Sequence, residues 1–94
     1  MLSKIPILLE KLRKENLDKE ILRAAMIAEL DAINLYEQMA GLTKDEKIKK
    51  VLLEVAREEK THTGEFQTLL LKLDREQEKE LEAGKREVEE LLPK

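Results

Sequence analysis

Ninety-four residues make one small domain at most, and helical chains this short often complete their core by association. Hydrophobic residues are 41% of the chain and aromatics only 2%, Tyr36 and Phe66, so any core must be aliphatic. Net charge is −3 with the two signs interspersed, which argues against a nucleic-acid surface. The chain has no cysteine, which excludes disulfides, thiolate metal sites and cysteine nucleophiles.

Abundant Lys and Glu with 3 Gly and 2 Pro are the composition of long helices. The opening MLSKIPILLEKL carries Ile5, Leu8, Leu9 and Leu12 at helical spacing, with Ser3 as a cap and Pro6 in the first turn. It predicts a short N-terminal helix over about residues 3–15. Its uncharged run, Ile5 to Leu9, lacks the length and the cleavage site of a signal peptide. No segment approaches the roughly 20 apolar residues of a membrane span, so a soluble cytoplasmic protein with no membrane partner is expected.

Asn16 to Asp18 reads as a break, with Asp18 capping helix A over about 19–40. Gly41 stands where a left-handed C-terminal cap favours glycine. Thr43 and Glu46 form a T-x-x-E capping box that opens helix B, about 44–73, with Gly64 its weak point. Asp74 and Gln77 resemble a second box, opening helix C over about 75–91 with Leu81, Val88, Leu91 and Leu92. The short A–B loop makes those helices antiparallel neighbours. The expected fold is all-α: a two-helix hairpin plus short terminal helices, a single domain over 1–94.

Steps of four and three along helix B read Ile48, Leu52, Val55, Glu59, His62, Phe66, Leu69, Leu73. Every position is apolar except the central two. Along helix A the steps read Leu22, Met26, Glu29, Ile33, Tyr36, Ala40. Such steps define the buried face of a left-handed bundle, so Glu29, Glu59 and His62 are expected to point inward. Burying a lone ionised carboxylate costs several kcal/mol, so such groups are paired, protonated or bound to metal. Neither seam offers a Lys or Arg at mid-height. A lone inward histidine is more often a satisfied core residue, but three ionisable groups in one layer need a common partner.

A metal ion meets that need. Residues three apart lie on one helix face, about 5–6 Å apart at Cβ. Carboxylates with a neutral imidazole suit iron or manganese, and zinc is a further candidate. Di-iron carboxylate bundles use one Glu from each of two helices and Glu-x-x-His from each of the other two. This chain supplies half of that set. A two-fold pair would supply four carboxylates, balancing two divalent cations, so the expected assembly is a homodimer and ferritin-like four-helix bundle with its metals at the interface. Tyr36 follows Glu29 along the seam and is read as a packing residue or a hydrogen-bond donor to a ligand carboxylate. Asp31 and Glu58 lie beside the seam as candidate guides for incoming cations, while Glu54, Glu58 and Glu65 read most simply as a solvated stripe.

AELDAINLYEQMA in helix A followed by VAREEKTHTGEF in helix B resembles the encapsulated ferritins, half-length relatives of the rubrerythrins. The resemblance covers roughly residues 18–92 and centres on Glu29, Tyr36, Glu59 and His62. It implies a ferroxidase that oxidises Fe(II) to Fe(III) at a di-iron site shared by two chains. It further implies a ring of five dimers, a homodecamer, housed in an encapsulin nanocompartment where the shell stores the iron. Some members flank the first ligand with acidic residues at an access site. Here those positions are Ala28 and Asp31, and only Asp31 would serve. The chain stops at EELLPK without the usual targeting tail, which fits a truncated chain or the leading domain of a longer one.

Two other functions use the same residues. A rubrerythrin-like peroxidase would reduce hydrogen peroxide at this centre, with a rubredoxin-type donor whose cysteines the chain lacks. A non-enzymatic helical oligomerisation module would keep Glu29, Glu59 and His62 as register-setting polar groups.

Overall fold

A computed structural model describes residues 14–94. Three α-helices and no strand occur among the described residues: α1 (Lys14–Leu42), α2 (Glu46–Leu73) and α3 (Arg75–Leu91). The all-α hairpin with a third helix matches the expectation. The expected N-terminal helix falls on residues 3–13, outside the described residues, and on residues 14 and 15, which belong to α1.

The expected break at Asn16–Asp18 is absent, because α1 runs through it. Asn and Asp each cost at most about 0.7 kcal/mol within a helix, too little to end one. Gly41 is not a left-handed cap either. No described residue has positive φ, and α1 continues through Gly41 to Leu42. The Thr43 N–H, bonded to the Met39 carbonyl at 3.0 Å, closes the last turn.

Asp45, rather than Thr43, caps α2. Its Oδ1 accepts the N–H groups of Lys47 at 2.8 Å and Ile48 at 3.1 Å, while Thr43 Oγ1 accepts the N–H of Asp45 at 3.2 Å. Both residues suit the role, but a carboxylate makes charge-assisted bonds and also favours the positive end of the helix dipole. Asp45→Ala is therefore expected to cost about 0.5–2 kcal/mol, read as a lower urea midpoint at unchanged slope.

α1 and α2 pack antiparallel through Ile33, Ala40, Ala56 and Leu70, the buried apolar side chains among the described residues. The alanines allow close approach but contribute little area. The expectation that the whole seam is buried does not hold in one chain. Ile48 and Leu69 are each 52% exposed and Leu73 is 47% exposed. Ala56 and Leu70 face α1, so Ile48, Val55, His62 and Leu69, one heptad apart, run along the edge of that contact. A bundle helix has two neighbours, and a lone hairpin gives each helix only one.

No helix among the described residues is long and apolar enough to cross a membrane.

Candidate metal centre

The mid-seam residues converge. α1 brings Glu29, and α2 brings Glu59 and His62, which one helical turn places on the same face. Their ligand atoms all lie within 4.8 Å of one another. His62 Nδ1 is 3.6 Å from Glu29 Oε2 and 3.7 Å from Glu59 Oε2. Those separations are too long for hydrogen bonds. They fall inside the roughly 4 Å that separates opposed ligands on a cation with bonds near 2.1 Å.

The burial pattern is asymmetric. The carboxylate side chains of Glu29 and Glu59 are 19% and 20% exposed, while the His62 side chain is 44% exposed. Glu29 Oε2 is buried with no hydrogen-bond partner. A buried acceptor left unsatisfied costs about 1–3 kcal/mol, and more when charged. The two cations nearest in sequence are committed elsewhere. Lys60 Nζ pairs with Glu37 Oε2 across the hairpin at 3.0 Å. The Arg57 guanidinium hydrogen-bonds Glu54 and holds that carboxyl below its usual range. An orphaned buried oxygen beside a second carboxylate and an imidazole fits a divalent cation of the iron, manganese or zinc type.

The other sequence candidates lie around this cluster rather than in it. Tyr36 is half-buried on α1, two turns beyond Glu29. Asp31 is half-buried two residues after Glu29 on α1, and Glu58 is exposed. Glu58 lines a recess of about 240 Å³ with Arg57, Thr61, Glu65 and the ring of His62. Sequence reasoning missed the Lys60–Glu37 pair, which ties α2 to α1 near the site. Nothing in a single-helix periodicity matches one outward residue with another on a different helix.

The chain belongs to the rubrerythrin family, whose sequence profile matches residues 20–94. It is 60% identical to a ferritin-like–encapsulin shell fusion protein of Pyrococcus furiosus, over 97% of this chain and 27% of that protein. It is 41% identical over 63 residues to the encapsulin nanocompartment cargo protein EncC of Myxococcus xanthus, covering 64% of this chain and 48% of that protein. The chain thus spans about a quarter of the first relative and about half of the second. In three dimensions it is similar to the crystal structure of the encapsulated ferritin domain from Pyrococcus furiosus. That match has a TM-score of 0.82 and 55% identity, covering 97% of this chain and 93% of that one. The resemblance to encapsulated ferritins, drawn from two stretches of α1 and α2 centred on Glu29, Tyr36, Glu59 and His62, therefore holds over nearly the whole chain.

Proposed function

We propose that this chain is a ferroxidase whose di-iron site is completed by a second copy, and that it serves iron storage within an encapsulin shell. The observation that carries the reading is Glu29 Oε2, buried and unpartnered beside His62 and Glu59. The heptad edge, with Ile48 and Leu69 exposed and Val55 and His62 half-buried, supports the second copy. Burying it against the same edge of a two-fold mate would bring in the second Glu29, Glu59 and His62. Ile27 and Leu30 lie off that edge and remain exposed, which supports assembly of dimers into a larger ring such as a decamer. The shell partner and the location inside a nanocompartment rest on the names of the two relatives.

Fe(II) is the substrate. Two ferrous ions give up one electron each, and dioxygen accepts both with two protons. Glu29 and Glu59 hold the ions through hard, anionic oxygens, which favour the trivalent product over the divalent substrate. His62 presents a neutral nitrogen, so that two chains contribute four negative charges to two cations. Asp31 and Glu58, close in sequence to the ligands on α1 and α2, add negative charge that draws cations in, and Tyr36, two turns beyond Glu29, is a candidate hydrogen-bond donor.

Ferrous titration under air, followed by near-ultraviolet ferric absorbance alongside sedimentation, tests this. Saturation near two irons per dimer is expected, with activity lost in Glu59→Ala. No oxidation above the uncatalysed rate and no change in mass would leave the three residues as register-setting polar groups.

A further inference from the structure

One residue, Asp74, separates α2 from α3, and all four of its polar atoms are engaged. Its N–H donates to the Leu70 carbonyl at 2.8 Å, closing α2, and its carbonyl accepts the N–H of Glu78 at 3.3 Å, opening α3. Oδ1 accepts the N–H of Gln77 at 3.0 Å, so the side chain caps α3. Oδ2 accepts from Arg23 Nη2 of α1 at 2.7 Å. Asp74 therefore belongs to two helices and is bonded to the third.

Little else fixes α3. None of its residues is buried, and Leu81, which leans towards the hairpin, is 44% exposed. A groove of about 360 Å³, lined by Met26, Ile27, Leu30, Leu70 and Leu81, stays open between α3 and the hairpin. Apolar packing of that kind would tolerate a range of angles.

We propose that Asp74 is a charge-held joint that fixes the direction in which α3 leaves the hairpin, with Arg23 as its anchor on α1. The Asp74 side chain is 13% exposed and the Arg23 side chain 47%, so the carboxylate is sheltered while the guanidinium meets solvent and remains open to screening by salt. The amide of Gln77, then Arg23 and the nearby Lys19, hold the Asp74 carboxyl below its ordinary value. The direction of α3 determines where the exposed Leu81, Val88 and Leu91 meet a neighbouring copy. That consequence rests on the ring assembly proposed above; the joint itself does not.

The chain contains no cysteine, so Lys50→Cys and Lys85→Cys place one spin label on α2 and one on α3 without a background. Labelled chain diluted into excess unlabelled chain gives the intramolecular α2–α3 distance distribution by pulsed dipolar spectroscopy. Arg23→Gln removes the anchor alone. Asp74→Asn keeps an amide able to cap α3 but loses the charge. Each is expected to broaden the distribution about twofold, and the double variant no further, because both remove one interaction. Salt at 1 M, where screening acts over about 3 Å, is expected to broaden the wild type and leave the variants unchanged. An unchanged width in both single variants, with the hairpin intact by circular dichroism, would overturn the proposal and assign the angle to Leu81.

Discussion

Glu29→Gln is expected to cut ferrous oxidation at low iron at least about 100-fold while leaving the metal-free protein at least as stable as the wild type. The two effects have one cause. Glu29 Oε2 is a buried acceptor with no hydrogen bond, so the metal-free hairpin bears a cost of about 1–3 kcal/mol for keeping it. The amide removes the negative charge and offers an N–H to His62 Nδ1, which lies 3.6 Å from the oxygen it replaces. In the proposed two-chain site it also removes two of the four carboxylates, one from each chain, so oxidation at low iron should fall at least about 100-fold, as loss of nearly 3 kcal/mol of ligand binding requires. Thermal unfolding with and without Mn(II) or Zn(II) separates the terms. The wild type should gain about 2.7 kcal/mol at a metal concentration 100 times its dissociation constant, and the variant should gain almost nothing. A variant that is less stable without metal and still stabilised by it would mean that Glu29 is a structural acid and no ligand.

Residues whose burial is set by their own helix were legible in the sequence. Glu29, Glu59 and His62 stood out because each interrupts a run of apolar residues at helical spacing, and the structure brings all three together. Asp74 announced α3 for the same local reason, since a cap acts within one turn. Where two local signals competed, the reading failed: Thr43 and Asp45 both suit a cap, and only the backbone path shows that Asp45 faces the free N–H groups. Gly41 suited a left-handed cap, but glycine permits that conformation without requiring it. The seam itself mixed two faces. Ala56 and Leu70, outside the seam as read, are buried, while Ile48 and Leu69 within it stay 52% exposed, and a heptad alone cannot assign each position to one of two neighbours. The Arg23–Asp74 and Lys60–Glu37 pairs join residues far apart in the chain, so no local pattern carries them.

Leu69→Glu, a change that touches no metal ligand, should eliminate oxidation as completely as removal of a ligand. Leu69 lies two turns beyond His62, about 10 Å along α2, and is already 52% exposed in the single chain. A carboxylate there is mostly hydrated, so the hairpin should keep its helicity. Against a two-fold mate the same carboxylate enters the contact twice, once from each chain. Each burial costs several kcal/mol, and every 1.4 kcal/mol weakens association tenfold. At micromolar protein the variant should sediment as a monomer, and its ferrous oxidation should fall to the uncatalysed rate because each chain then holds only half of the ligands. Raising the concentration should recover mass and activity together. Leu53→Glu supplies the control: Leu53 is similarly exposed, at 47%, but lies off the heptad edge, so that variant should stay dimeric and oxidise iron at the wild-type rate. Activity persisting in a monomeric Leu69→Glu protein would place a complete oxidation site within one chain, and the shared centre would have to be abandoned.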